Sequence, residues 1–402
     1  MKVVHITFAT KGGAGIAALR LHNALLQRDI SSTILCHTPA GDIPHCHQTK
    51  YSRWHKFLES RRLGFFNGKY KAQTKSFKKT FEALSFPESI YDISNEEVIK
   101  KADIVHLHWV GNMLNYQSFF TKINKPVVWT LHDMNPFYGF SHYDTCWQTG
   151  PLPESARQLE EKIRKIKVQA YQACDSLHIV CLCNWMKEKS SASQAFATRP
   201  HYLIRNCIDT NTFTIKDKKE CRRALNLPEG KTILLFVANS INDKRKGLEL
   251  LIKALPAIHQ RGNFCVVCVG ADTGFHGGNV ISMGKITNPE LMAQVYNAAD
   301  IFTIPSIEDN LPNTILESLA CGTPVVGFPV GGIVDLIQDG VNGCLASDVS
   351  VSALTDAICK CSDMLPEFDR QKIADKAGQE FSPSKIAQDY ERLYQTILTQ
   401  SY

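Results

Sequence analysis

Short apolar runs alternate with longer amphipathic stretches through most of this chain. Val3–Phe8, Ser32–Cys36, Ile104–Leu107, Val127–Leu131, Leu177–Cys181 and His201–Ile204 are strand-length and nearly continuous in apolar residues. Between them, Ile16–Leu26 and Ala156–Ala173 carry apolar residues at helical spacing. Continuous apolar strands separated by helical patterns predict a parallel sheet covered by helices on both faces. The pattern restarts at Thr232–Ala238 and continues through Leu248–Ala257, Phe264–Gly270, Asp300–Pro305 and Pro324–Phe328. Two doubly wound, Rossmann-like domains are the simplest solution. Residues 206–216 are polar and lack helical period, which places the boundary there: 1–205 forms one domain and 206–384 the other. A last amphipathic helix, Pro383–Leu398, carries Ile386, Tyr390, Leu393, Tyr394 and Ile397 on one side.

Composition narrows the class without changing this outline. The chain has 402 residues, 44% hydrophobic and 21% charged, ordinary values for a globular protein. No apolar run approaches the ~18 residues that span a bilayer. Met1–Phe8 is too short for a signal sequence and reads as a first buried strand, so a cytoplasmic location is expected. The fourteen cysteines are scattered. Cys265 and Cys268 fall on opposite faces of one strand, and the pairs Cys181/Cys183 and Cys359/Cys361 lack histidines at zinc-site spacing, so they read as small buried residues. Charge is uneven. Residues 50–80 hold ten basic residues and a single acid, Glu59, interleaved with Tyr51, Trp54, Phe57, Phe65, Phe66, Tyr70 and Phe77. Such a stretch suits an anionic membrane surface at the inner face of the cell membrane, a solvated helix face over an ordinary core, or a basic wall around an acidic acceptor. No recognised nucleic-acid module accompanies it, so nucleic acid is not an expected partner.

The chemistry concentrates at the ends of strands. Ser306–Val326 reads as loop, short helix, turn and buried strand. Pro312 suits the helix's first turn, and Gly322 with Pro324 ends it. Asp309 and Glu317 flank the helix start, and Glu308 stands beside the first of them. A helix N-terminus offers unpaired N–H groups to an anion, and an acid one turn inside can accept hydrogen bonds from a diol. A second feature, Asn239–Leu248, sets Arg245 and Lys246 just before an apolar helix, where two fixed cations can neutralise a diphosphate. Thr10–Gly15 is a glycine turn between the first strand and helix. Gly12-Gly13-Ala14-Gly15 departs from the dinucleotide fingerprint, and a tight turn alone would account for it. His132 follows the Val127–Leu131 strand and faces the crevice where ligands bind in open α/β sheets, with Asp133 placed to orient its neighbours. His106, His108 and Trp109 end the preceding strand and either pack or shape an acceptor pocket.

The segment Asp309–Val326 resembles the donor-binding motif of glycosyltransferase family 4: acid, seven residues, acid, a small-residue turn, then Thr-Pro-Val-Val. Asn206-Cys-Ile-Asp209 followed by Phe213 resembles the family's interdomain segment, with Cys207 in place of the usual glycine. The resemblance implies the GT-B fold: two Rossmann-like domains facing across a cleft, the first on the acceptor side and the second binding the donor. It implies that residues 385–402 cross back to the first domain. It also implies a retaining transferase moving a sugar from a nucleotide diphosphate sugar to a sugar or lipid-linked acceptor in surface-polysaccharide, lipopolysaccharide or glycolipid assembly. Carried onto this chain, Asp309 would hold sugar hydroxyls, Glu317 the ribose, and Arg245 and Lys246 the diphosphate. Gly13, Asn313 and Thr314 would offer backbone N–H groups, Met283 would line the base pocket, and His132 would touch the donor sugar. Asn239 occupies the place of a usual arginine. No Asp-x-Asp pair is present, so protein cations are expected in place of a metal or other cofactor. The rival readings are an epimerase or phosphorylase of the same fold, for the latter of which no pyridoxal-bearing lysine stands out, or a non-catalytic nucleotide-sugar binder.

Overall fold

A computed structural model describes residues 1–39, 41–49, 70, 72–89, 92–148, 152–238, 243–270 and 279–400. The chain divides into two compact units. One comprises Met1–Arg205 with Ala387–Tyr402, and the other Asn206–Ile386.

The first unit is built on a sheet of β1 (Lys2–Ala9), β2 (Ser31–Thr38), β3 (Cys46–Gln48), β4 (Ile104–Leu107), β5 (Val127–Leu131), β6 (Leu177–Cys181) and β7 (His201–Leu203). Its order is β3-β2-β1-β4-β5-β6-β7, and every pairing is parallel. β4, β5 and β6 are buried at every residue, as a parallel sheet covered on both faces requires. The strand order reverses between β1 and β4, so the crevice beyond their C-terminal ends is the topological switch point. The second unit repeats the plan with β8 (Thr232–Val237), β9 (Phe264–Val269), β10 (Val280–Ser282), β11 (Ile301–Ile304), β12 (Val325–Gly327) and β13 (Gly343–Leu345). Its order is β10-β9-β8-β11-β12-β13, again parallel throughout, with the switch point between β8 and β11.

The helices differ from expectation mainly at their starts. The first runs over Gly12–Leu26 and so begins inside the glycine turn, four residues before its apolar stripe. The helix after Ser306 spans Asn313–Ala320, and Pro312 is its N-cap with extended backbone, not a first-turn residue. Gly322 takes the left-handed conformation that closes this helix, φ +68°. The last helix, Pro383–Gln400, contributes Ala387 onward to the first unit, where Tyr390 and Tyr394 are buried and Glu391 pairs with Arg28 at 2.6 Å.

In the basic stretch, residues 50–69 and Lys71 lie outside the described residues. Within the remainder Lys75, Lys78 and Lys79 are exposed, whereas Tyr70, Phe77 and Phe81 are core residues packed with Phe86, Phe140, Leu159 and Ile163. These aromatics therefore do not form a membrane-facing stripe. All fourteen cysteines are free thiols, buried except for the partly exposed Cys46. Among the described residues no helix is long and apolar enough to cross a membrane.

Candidate functional site

In the second unit, two turns meet at the switch point. Lys244–Lys246 forms a short 3-10 turn after β8, and Ser306–Asp309 follows β11. Their backbones are zipped together by a hydrogen bond from Ile307 N to Arg245 O, 2.8 Å. Gly247 makes this approach possible. It takes φ +70°, and a Cβ there would stand 1.8 Å from the carbonyl oxygen of Pro305. Gly331 does the same on the other side of the acid loop. Its φ is +53°, its missing Cβ would lie 1.8 Å from Asp309 O, and Gly332 N donates to that same oxygen at 3.0 Å.

The result is a fixed charge cluster. Lys246 Nζ donates to Asp309 Oδ2 at 2.6 Å, and Arg245 Nη1 lies 3.7 Å from the same oxygen. Burial alone would raise the Asp309 pKa, but the Lys246 and Arg245 charges outweigh it and hold the carboxyl below its ordinary value. The two cations are not equivalent. Arg245 is buried, donating to Glu308 O at 2.9 Å and to Asp243 Oδ2 at 3.1 Å, so it braces the acid loop. Lys246 keeps 24% of its side chain exposed and can exchange Asp309 for a ligand anion. Of the two adjacent acids, Asp309 turns its carboxylate to the cations, while Glu308 meets Arg245 through its carbonyl.

Four residues after Asp309, the Asn313–Ala320 helix begins with no side-chain cap and no acid in its first turn. Its N-terminus therefore keeps the partial positive charge of its backbone dipoles. Asn313 and Thr314 are partly exposed there, and Asn313 Oδ1 is held by Asn206 Nδ2 at 2.9 Å. Glu317, one turn in, accepts from Tyr296 OH at 3.0 Å and also remains partly exposed. Met283 follows β10, is partly exposed and pairs its N–H with Cys268 O at 2.9 Å. Asn239 lies outside the described residues.

The first unit presents a second group of site residues. Gly12, Gly13 and Gly15 divide the work of their turn. Gly12 takes φ +74°, and a Cβ on Gly15 would meet Ala9 O at 2.3 Å, whereas one on Gly13 would meet nothing within 4 Å. Packing thus accounts for Gly15 but not for Gly13, which is exposed and has room for a Cβ among the described residues. His132 follows β5, partly exposed, with Nε2 3.1 Å from His108 Nδ1. Asp133 is buried beneath it and accepts from Trp109 Nε1 at 2.7 Å, from Asn135 N at 3.0 Å and from His142 Nδ1 at 2.7 Å. Burial acts to raise its pKa, but His142 and these hydrogen bonds bring the carboxyl below its ordinary value.

Three residues absent from the sequence reading hold this loop. Glu160 accepts from the N–H groups of Gly139, Phe140 and Ser141 at 2.7–3.2 Å. Lys167, wholly buried, donates to Asn135 O at 2.6 Å and Oδ1 at 3.0 Å. His142 links Asp133 to Ser85 Oγ, 2.9 Å away. Lys167 was detectable in principle, since a lysine four residues after Ile163 interrupts the apolar face of its helix.

His5, His106 and His108 are the histidines among the described residues whose ring nitrogens converge, to within 4.8 Å. Both nitrogens of His106 are already engaged, by Tyr394 OH at 2.7 Å and Thr130 Oγ1 at 2.8 Å. Metal ligation would have to break one of these bonds, and the trio offers a dication no compensating carboxylate. The donor set fits a neutral hydrogen-bond network better than a metal centre.

Comparisons with known proteins agree on one family. "Glycosyltransferase Family 4" matches residues 11–212, and "Glycosyl transferases group 1" matches 231–363. The chain is 32% identical over 267 residues to D-inositol 3-phosphate glycosyltransferase of Geodermatophilus obscurus, covering 60% of this chain and 55% of that protein. It is 30% identical over 281 residues to the same-named protein of Actinosynnema mirum, covering 64% and 63%. The matched stretches thus span 55% to 63% of the length of these relatives. Sucrose-phosphate synthase from Thermosynechococcus elongatus superimposes with a TM-score of 0.67 at 18% identity, over 100% of both chains. HepE from Anabaena, solved in complex with UDP and glucose, gives 0.64 at 16% identity, over 98% of this chain and 99% of that one. At this level of identity the likeness speaks for the fold, the GT-B class.

Proposed function

The chain belongs to glycosyltransferase family 4, and from that premise we propose that it transfers a sugar from a nucleotide diphosphate sugar to an acceptor hydroxyl, with retention at the anomeric carbon. The observation that carries this reading is the Lys246–Asp309 pair, 2.6 Å apart, beside an uncapped helix N-terminus with Glu317 one turn inside. A diphosphate seated there would meet Lys246 on one side and helix N–H groups on the other. Glu317 would accept from the ribose hydroxyls, and Asp309, freed from Lys246, from those of the sugar.

Bond breaking follows from this arrangement. The anomeric C–O bond cleaves and its electron pair moves to the β-phosphate oxygen, where Lys246 and the helix dipole stabilise the charge. The acceptor oxygen attacks the same face of the sugar and passes its proton to the departing phosphate. His132, Asp133 and the exposed Gly13 belong to the first unit, which we assign to the acceptor side. The exposed Lys75, Lys78 and Lys79 fit an acidic acceptor or an anionic membrane face. Assembly of a surface polysaccharide or glycolipid is the corresponding physiological role.

The test combines binding and product detection. UDP-glucose heads a panel of nucleotide sugars, because UDP and glucose occupy the HepE structure. Inositol 3-phosphate joins simple sugars as an acceptor, because the two relatives are named for it. At about 100 times its dissociation constant a donor adds ~2.7 kcal/mol of stability. An α-linked donor should yield an α-linked product. A panel in which no nucleotide sugar raises the melting temperature sinks the donor site. Conversion of the donor to its epimer without acceptor sinks the transferase.

A further inference from the structure

Polar residues recur at every second position on one face of the first sheet. His5 of β1 registers with His106 of β4, and His106 with Val128 of β5. Side chains two apart share a face, so His108, Thr130 and His132 continue the same face upward. The register brings the rings of His5, His108 and His132 into a line. His5 Nδ1 lies 3.0 Å from His108 Nε2, and His108 Nδ1 lies 3.1 Å from His132 Nε2.

A neutral imidazole has one N–H and one acceptor nitrogen. Burial keeps all three rings neutral, with the His132 pKa down at about 4. Two bonds in series then permit only two coherent proton arrangements. In one, every ring carries its proton on Nε2 and donates inward. In the other, every ring carries it on Nδ1 and donates outward. The inner end decides between them. His5 Nε2 is fully buried and meets no hydrogen-bond partner among the described residues. The inward arrangement puts an unpaired N–H there, and the outward one a lone pair. Among buried backbone groups an orphan N–H is rarer than an under-satisfied acceptor, and we extend the same preference to the ring.

We propose that His5 and His108 are positioning residues that fix His132 as an Nδ1–H donor, so that its partly exposed ring offers a proton, and no basic nitrogen, to an oxygen of a ligand bound at this face of the first unit. Only the identity of that oxygen rests on the transferase reading. The direction of the chain is a property of the unliganded protein.

The experiment is long-range 1H–15N correlation on the intact, 15N-histidine-labelled protein at pH 7 without nucleotide, with His132→Gln to assign the ring. The expected pattern has His132 Nδ1 protonated and Nε2 as an acceptor. His5→Phe removes the directing N–H and should raise the Nε2–H form of His132. His5→Asn, whose amide N–H stands near the place of Nδ1–H, should restore the original pattern. In the transfer assay His5→Phe should lower kcat roughly tenfold, the loss of about one hydrogen bond, with KM for the donor little changed. A wild-type His132 protonated on Nε2, or on both nitrogens, overturns the proposal whether or not His5→Phe folds. So does an unaltered His132 signal in a folded His5→Phe protein. Failure of the transferase reading would instead appear as absent nucleotide binding with the tautomer pattern intact.

Discussion

At the scale of single residues, the two acids of the donor motif occupy different electrostatic settings, and this separates their expected roles. Glu317 is partly exposed and bonded to a neutral tyrosine, so it is available to ribose hydroxyls. Glu317→Ala should weaken nucleotide diphosphate binding by about ten- to a hundredfold, the value of a charge-assisted hydrogen bond, as read by calorimetric titration. Asp309→Asn should leave binding largely intact and slow turnover, because it frees Lys246 but removes the sugar contact. Wild-type steady-state kinetics for both variants would refute the assignment. Lys167 supports a pH prediction. Burial brings its pKa down to about 7, against the attraction of Glu160 and Asp133. The unfolded chain keeps this proton to about pH 10.4. Between these values the unfolded state binds more protons, so the folded state gains stability as pH rises, by at most ~1.4 kcal/mol per unit. Below about pH 7 both states are protonated and the cost of burial is complete. Denaturant melts of wild type and Lys167→Met at pH 7 and pH 9 should show the wild type gaining more over that interval.

At the scale of elements, strands were the most legible feature. Ile104–Leu107, Val127–Leu131 and Leu177–Cys181 coincide with observed strands residue for residue, because a strand buried on both faces has to be apolar throughout. Helix starts were less legible. The Gly12–Leu26 helix begins in glycines that carry no periodic signal, and only the backbone shows which glycine has no room for a Cβ and which has. Gly15→Ala should therefore destabilise the first unit by roughly 1–3 kcal/mol, as overpacking against a backbone carbonyl does. Gly13→Ala should keep the melting temperature to within about 0.5 kcal/mol equivalent while lowering kcat/KM. Equal effects of the two substitutions on stability would contradict this division. The line of polar residues His5, His106, His108, Thr130 and His132 was present in the sequence but not read as one feature. Each stands alone inside an apolar run, and only the register of three strands aligns them. The clamp on Asp309 was hidden for a similar reason. Gly247 and Gly331 are 84 positions apart, and nothing local says that both lie against the same loop.

At the scale of the whole molecule, the end of the chain completes its beginning. Tyr394 meets His106 across 288 positions of sequence, and Tyr390 meets Thr130 across 260. Arg28, Glu391 and the buried Ile397 extend the contact beyond the histidine network. The apolar face of the last helix was visible in its spacing. Its polar role was not, since the two tyrosine hydroxyls acquire partners only when the sheet register is known. Ending the chain at Ile386 would remove the tyrosine partners of His106 and Thr130, at about 0.5–1.5 kcal/mol for each hydrogen bond lost, and would expose the apolar face they lie against. The second unit, Asn206–Ile386, has its own sheet and its own charge cluster. Truncation should therefore collapse hydrogen-exchange protection in β1, β4 and β5 while β8, β9 and β11 remain protected and nucleotide binding survives. Loss of protection in both units together would mean that the second depends on the first for its fold. Retention in both would mean that the tyrosine contacts contribute little to closing the first.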